Sequence, residues 1–451
     1  MNFIENVKAS GIVGAGGAGF PSHVKFSGQA SCFIVNGIEC EPLLETDKYY
    51  MRHQAADLVA GVNLISKQIG ATRSVIGIKA KNKKEIQAVR SEIEKQGLDI
   101  EIHESKNYYP AGDEQMLIKD VTGDSVAPAS IPLSVGVVVS NVATVIDVYK
   151  SQKQTKFAVT HRIITVTGAV HKPTLIHVPV GTRISECIEL AGGASLADFK
   201  VILGGPMMGA HCDGLDIQDT YTSKTLGGII VLAKDHHIFE KGGLSDDQVV
   251  KRASAACIQC RMCTDLCPRY LNGHPLEPHK IMRAVGAGTK DFEALKSAQL
   301  CCECGVCEMY ACPMEMSPKK MNQAVKKHLS QNGIRYTPES GETVSSDMRP
   351  YRQVQTDRLV ARLGLSPYMH IHLDDVIRYT PESVTIKLRQ HIGAPAQPVV
   401  KSGQYVETGA CIARIPDEAL GAQIHASLSG RVEVYEDRII ITANQVEEQD
   451  D

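Results

Sequence analysis

At 451 residues the chain is long enough for about three domains, each with its own core. Its 48 Lys and Arg against 51 Asp and Glu give a formal charge of −3, which supplies no electrostatic case for nucleic acid or an anionic membrane surface. No apolar run approaches a membrane-spanning length and residues 1–10 lack a signal-type apolar core, so the expectation is a soluble, cytoplasmic protein with no membrane span.

The first unusual stretch is Gly14-Ala15-Gly16-Gly17-Ala18-Gly19-Phe20-Pro21. Gly14, Gly16 and Gly19 satisfy G-x-G-x-x-G, and Glu39 follows at the distance a dinucleotide fingerprint requires. The context departs from that fingerprint: the preceding residues are not strand-like, and Phe20-Pro21 interrupts the helix that should follow. A Walker loop is excluded, because no Gly-Lys-Ser/Thr occurs. Glycines at this density still let backbone N–H groups lie against a flat or phosphorylated ligand, with Lys25 placed to meet a phosphate. A plain glycine linker is the alternative.

Strands and helices then alternate. The pattern predicts strands over 32–38, 74–79, 98–103 and 135–140, and helices over 57–69, 83–96 and 143–150. Leu58, Val62, Ile65 and Ile69 share one face of the first helix. Such alternation argues for a largely parallel sheet, whose ligands sit beyond the carboxyl ends of the strands. Asn36, Glu39 and Glu41 follow the first strand, and Asn141 and Thr144 follow the last. Between them, Tyr109, Gly112, Asp113 and Glu114 belong to a tight turn ahead of another helix.

From Arg162 the chain turns β-rich, with strands over 163–167 and 175–178 and a short helix over 184–191. The Met207-Met208 pair reads as gap-filling core, and His236-His237 as a surface pair.

The cysteines come next. Cys257-x2-Cys260-x2-Cys263-x3-Cys267-Pro268 is followed, 33 residues on, by Cys301-Cys302-x-Cys304-x2-Cys307-x4-Cys312-Pro313. Three thiolates at x2 spacings wrap three corners of a cubane, and the fourth, before Pro, caps the neighbouring cluster. One [4Fe–4S] cluster then takes Cys257, Cys260, Cys263 and Cys312. The second takes Cys267, Cys304 and Cys307 with Cys301, for which Cys302 competes. The x4 spacing departs from the usual x3. Structural zinc would want two separate C-x-x-C pairs, and disulfides an oxidising compartment.

Residues 331–350 read as a polar linker, followed by an amphipathic helix over 351–363. Short strands punctuated by glycines then run to the end.

These motifs carry a resemblance. The glycine loop with Lys25, Asn36-Gly37-Ile38-Glu39-Cys40-Glu41-Pro42, Tyr109…Gly112-Asp113-Glu114 and Asn141-Val142-Ala143-Thr144 resemble the respiratory complex I flavoprotein and the RnfC component of Rnf-type electron-transport complexes. That resemblance implies FMN contacts at Gly16, Gly17, Gly19, Lys25, Asn36 and Asn141, and NADH near Phe20, Glu41 and Glu114. The loop has Ala15 and Ile38 where the complex I flavoprotein has Arg and Asp, which leaves NADH and NADPH both open.

The stretches 401–409 and 426–432 resemble a biotinyl/lipoyl-type barrel-sandwich hybrid, but the corresponding hairpin, 415–420, has no lysine to carry a swinging arm. A docking or structural role is expected of it. In RnfC proteins this module precedes the flavin domain, whereas here it comes last. That order resembles the cobalamin reductases of propanediol-utilisation microcompartments. The expected fold class is multidomain α/β: a Rossmann-like FMN/NADH domain (1–155), a β-grasp SLBB-type domain (156–240), a helical ferredoxin-like domain with two [4Fe–4S] clusters (241–332), a linker with a short helix (333–380) and a barrel-sandwich hybrid (381–451).

By resemblance the function is NADH-dependent reduction of cobalamin through FMN and the clusters, with an adenosyltransferase and microcompartment shell or enzyme proteins as partners and placement inside a bacterial microcompartment. An NADH-binding component of an Rnf-like membrane complex and a non-catalytic electron-transfer scaffold are the rivals.

Overall fold

A computed structural model describes residues 2–289, 291–338, 341–369 and 372–444. The C-terminal module is therefore described to residue 444, and the last residues of the predicted span 381–451 lie outside.

A capped helix, α1 (Phe3–Ala9), leads into the glycine loop, so a helix rather than a strand precedes it. The loop closes on itself: the Gly14 amide donates to the Phe20 carbonyl at 2.9 Å, and Val13 bridges Pro21. Four strands follow, β1 (Cys32–Gly37), β2 (Arg73–Lys79), β3 (Glu101–Ser105) and, after the two-residue β4 (Tyr108–Tyr109), β5 (Val137–Asn141). They form a wholly parallel sheet in the order β3-β2-β1-β5. The third strand begins three residues later than the pattern predicted.

The helices among them are α2 (Thr46–His53), α3 (Ala55–Ile69), α4 (Lys83–Gln96), α5 (Glu114–Thr122) and α6 (Val142–Lys153). Leu58, Val62, Ile65 and Ile69 are fully buried on α3, each contributing about 1.5–3 kcal/mol. Gly61 lets α3 and α6 cross closely, since a Cβ there would lie 2.8 Å from Val145. Gly70, left-handed at φ 72°, stops the helix.

The second domain is a six-stranded mixed sheet. It comprises β6 (His161–Gly168), β7 (Thr174–Pro179), β8 (Phe199–Leu203), β9 (Ala210–Asp213) and β10 (Gly228–Ala233), with α7 (Ile184–Leu190) packed against it. Met207 is buried as expected, in an apolar cluster shared between domains, but Met208, on the other side of the turn, is 56% exposed and fills no gap. The His236 and His237 rings are half-buried and stacked at 4.6 Å, and His236 caps a short helix.

The cysteine segment is helical, with α8 (Asp246–Ala256), α9 (Pro278–Gly286) and α10 (Pro318–Gln331) around one apolar core. Residues 333–380 do more than link. There β11 (Val354–Gln355) pairs with β4 of the first domain, and β12 (Val376–Arg378) adds the sixth strand beside β7. The helix predicted over 351–363 is shorter, α11 (Thr356–Arg362), because the residues before it are taken up by that pairing.

The C-terminal module is two small antiparallel sheets over a shared core. One holds β13 (Ser383–Lys387), β15 (Tyr405–Val406), β18 (Gly430–Val434) and β19 (Arg438–Thr442); the other holds β14 (Gln397–Pro398), β16 (Cys411–Arg414) and β17 (Ile424–His425). Among the described residues no helix is long and apolar enough to cross a membrane.

Candidate functional site

The carboxyl ends of β1 and β5 lie side by side, with Asn36 opposite Asn141 in the strand register. The glycine loop sits against them. The Ala15 amide donates to Thr144 Oγ1 at 2.9 Å, and a Cβ on Gly16 would lie 3.5 Å from Asn141 Cβ. Gly16 and Gly17 are exposed at the loop tip. Gly17 has φ +105° with open space where a side chain would project. This is a backbone cradle that any side chain would fill, and it fits a flat flavin ring or its phosphate.

The two asparagines are held firmly. Asn141 Oδ1 accepts from the Ala143 amide, capping α6, while its Nδ2 donates to Asp47 at 2.8 Å. Asn36 Nδ2 donates to the Gly112 carbonyl at 2.8 Å. A Cβ on Gly112 would press on Cys40 Sγ at 3.1 Å, so glycine lets that turn meet β1. Lys25 reaches across to the Val139 carbonyl at 2.9 Å and to Glu114 at 3.0 Å, which places both residues at the mouth of the crevice.

Acids crowd the floor. Glu39, in a left-handed turn at φ 40°, has its carboxyl raised by burial and then by Asp47. Burial lifts Glu41 to about 7. Its two oxygens take the Tyr109 hydroxyl at 3.3 Å and the Met207 amide at 2.9 Å. Asp47 and Lys79 escaped sequence reasoning. Asp47 had no local signal. Lys79 closes the predicted second strand, so the rule that picked Asn36 and Asn141 could have found it. It is 3% exposed, and burial lowers it to about 8.

The crevice is joined directly to the cysteines. Tyr109, 1% exposed, donates its hydroxyl to the Cys304 carbonyl at 2.7 Å. Asp113, a sequence candidate for cofactor contact, instead caps α5 and takes both arms of Arg269 at 2.8 and 2.9 Å. Arg269 follows Cys267-Pro268, so this buried fork fixes the cysteine domain on the first domain. With both carboxylate oxygens committed, Asp113 is an interdomain clamp.

The thiols gather in two groups. Burial raises Cys263 to about 12, and the neighbours that add to the rise are Cys312, Cys260 and Cys257. Burial also raises Cys267, with Cys302 and Cys301 beside it, and Cys307, with Cys301 and Cys267 beside it. A tight pocket is lined by Cys267, Cys301, Cys302, Cys304 and Cys307, with Arg269 and Lys319 at its wall.

The unusual x4 spacing has a structural account. Residues Val306–Ala311 form a π-helical turn, which absorbs one extra residue and carries Cys312 back to the first group. Among the described residues no set of His, Cys, Asp or Glu converges tightly enough for a single metal ion. A four-iron cubane holds its thiolates further apart than one ion does, and thiols this hard to ionise become thiolates when cationic iron binds them.

The C-terminal module closes the back of the loop. The Ile392 amide donates to the Gly19 carbonyl at 3.1 Å, and a Cβ on Gly19 would meet Thr225, His391 and Gln390 between 3.1 and 3.3 Å. Beside it Lys224, 1% exposed, donates to the Gly11 carbonyl at 2.7 Å and the Gln423 carbonyl at 2.6 Å. Three domains therefore meet at this lysine.

Four family models match the chain in succession: the Nuo51 FMN-binding domain over residues 7–150, an SLBB domain over 163–210, a 4Fe-4S dicluster domain over 256–317 and the RnfC barrel sandwich hybrid domain over 375–449. These bear out the multidomain fold class. The chain is 44% identical to the cobalamin reductase PduS of Salmonella typhimurium over 97% of its own length and 95% of that protein. It is 42% identical to PduS of Citrobacter freundii over the same shares. A component of the Na(+)-translocating ferredoxin:NAD(+) oxidoreductase complex of Acetobacterium woodii is 34% identical over 58% of this chain and 56% of its own. With all four modules present in one order and near-complete mutual coverage, the chain belongs to the PduS family of cobalamin reductases.

Proposed function

We propose that this protein is an NADH-dependent cobalamin reductase. Bound FMN would supply the conversion of a hydride into single electrons, and two [4Fe–4S] clusters held by the cysteines would supply a one-electron path to the cobalt of the substrate, from Co(III) through Co(II) to Co(I). Full-length identity to PduS proteins supports the reading, and one geometric observation carries it: the Tyr109 hydroxyl joins Glu41 of the nucleotide crevice to the Cys304 carbonyl. A flavin domain clamped this closely to a cysteine ring is built for electron transfer between them.

The chain's residues bind and orient. Gly14, Gly16, Gly17 and Gly19 shape the flavin cradle, Asn36 and Asn141 fix its edge, and Lys25 meets the phosphate once Glu114 releases it. Phe20, Glu41 and Glu114 line the approach of the nicotinamide nucleotide. Cys257, Cys260, Cys263 and Cys312 hold one cluster, and Cys267, Cys301, Cys304 and Cys307 the other. We extend the proposal to delivery of Co(I) to an adenosyltransferase within a bacterial microcompartment, on the strength of the whole-chain resemblance.

The test uses anaerobically purified protein. Iron, sulfide and flavin are assayed, and NADH-driven reduction of hydroxocobalamin is followed by absorbance with Co(I) trapped by alkylation. About eight irons, one flavin and trapped Co(I) are expected. Flavin bleaching by NADH without cobalt reduction would overturn the assignment of cobalamin as acceptor.

A further inference from the structure

A second cavity opens where the loops after β1 and β2 end, about 940 Å³ including its mouth. Lys48, Lys81, Asn82, Lys84, Tyr368 and Met369 are among its walls. It lies at the carboxyl edge of the parallel sheet, where such folds take ligands, but beside β2 rather than in the β1–β5 crevice.

Its chemistry favours a phosphate. The 14-residue helix α4 starts here, and no side chain caps its first turn. Asn82 occupies the cap position, is 8% exposed, and its Nδ2 has no hydrogen-bond partner among the described residues. A buried amide donor left unsatisfied costs about 1–3 kcal/mol, so its retention points to a ligand. Two carboxylates also line it: Glu85 pairs with Arg52, and Glu45 pairs with Lys48 through Oε1 while its Oε2 has no hydrogen-bond partner among the described residues, so the lysines supply the excess positive charge that an anion needs. Lys81 and Lys84 make no ion pair among the described residues. In the same lining Tyr368 and Met369, both half-buried, offer an aromatic and a polarisable face.

We infer that this cavity is a nucleotide-binding pocket: the start of α4, Asn82 Nδ2, Lys81 and Lys84 take a phosphodiester or pyrophosphate, and Tyr368 and Met369 take the attached base. Two reactants of the proposed reaction carry that chemistry. The dinucleotide donor has a pyrophosphate and adenine, and cobalamin has a phosphodiester-linked benzimidazole nucleotide. The inference rests on the proposed function only for this choice of probes.

The test is equilibrium binding without reductant, on the full-length, cofactor-loaded protein. NAD+, cyanocobalamin, dicyanocobinamide (the corrin without its nucleotide) and inorganic phosphate are titrated against the wild type and Lys81→Glu/Lys84→Glu. Flavin content and melting temperature control for folding, and Asn82→Asp, which puts an anion in the pocket at constant shape, is a second variant.

Both variants are expected to bind one nucleotide-bearing ligand at least tenfold more weakly. Loss of NAD+ binding assigns the pocket to the donor. Loss of cyanocobalamin binding down to the level of cobinamide assigns it to the acceptor. Unchanged binding of both ligands, or loss confined to inorganic phosphate, overturns the inference. Because no turnover is read, a protein that fails to reduce cobalamin would overturn the proposed function and leave this result standing.

Discussion

Two residues carry separable predictions. Cys301 and Cys302 both line the second cysteine cavity, but Cys301 also accepts from the Glu303 amide at 3.4 Å. Hydrogen bonds to sulfur are what a cluster ligand collects. Cys302→Ser is therefore expected to keep about eight irons per chain and Cys301→Ser to fall towards about four, by iron assay of the reconstituted proteins. Lys224 is the second. Burial lowers it to about 7, so the folded state binds its proton more weakly than the unfolded chain does. Its stabilisation is full above the ordinary lysine value of about 10.4 and is lost as pH falls through about 7. Wild-type stability should thus rise between those values, by a term on the order of 5 kcal/mol, and Lys224→Met should lack that rise in denaturation curves taken across the window. Sequence reasoning reached the cluster thiols because their spacing is the chemistry. It missed Lys224, whose two carbonyl partners come from residues 11 and 423.

At the scale of elements, the glycine loop separates two effects that its composition merges. Gly17 and Gly19 both have positive φ, but only Gly19 is packed. Gly17→Ala should cost about 1 kcal/mol of backbone strain and yet reduce bound flavin, because the new methyl enters the cradle. Gly19→Ala should lower the melting temperature further, since its methyl would press on the His391 backbone and the Thr225 side chain. Flavin released on denaturation, read beside the melting temperature, checks both. Helices and strands of the first domain were legible because their periodicity is local, and α4 falls on the predicted bounds. The edge strands β11 and β12 were not. Each is two or three residues long and takes its conformation from a partner far back in the chain.

Across the whole molecule, the C-terminal module, whose 415–420 hairpin carries no lysine, acquires a position that the sequence withheld. It backs the glycine loop through Ile392, His391 and Gln390, while Gln423 takes Lys224 beside it. A chain ending at residue 380 should keep its parallel sheet, by circular dichroism, and its iron, yet retain little flavin after gel filtration. Equal flavin retention by the shortened and full chains would reduce the module to a passive appendage. The order of modules could be read from motifs, but how they pack could not, because the core shared by the first three domains draws single residues such as Leu44, Tyr109, Met207, Val306 and Leu359 from widely separated parts of the chain.

The pairing of β4 with β11 and the seating of Ile392 on Gly19 also set a timetable for synthesis. As the chain leaves the ribosome, the loop at residue 19 emerges long before the segment at residue 392 that backs it. For most of translation the first domain carries an open edge and an unsupported loop. If that seating shapes the cradle, flavin capture waits until the C-terminal module has been made and has folded back on the loop.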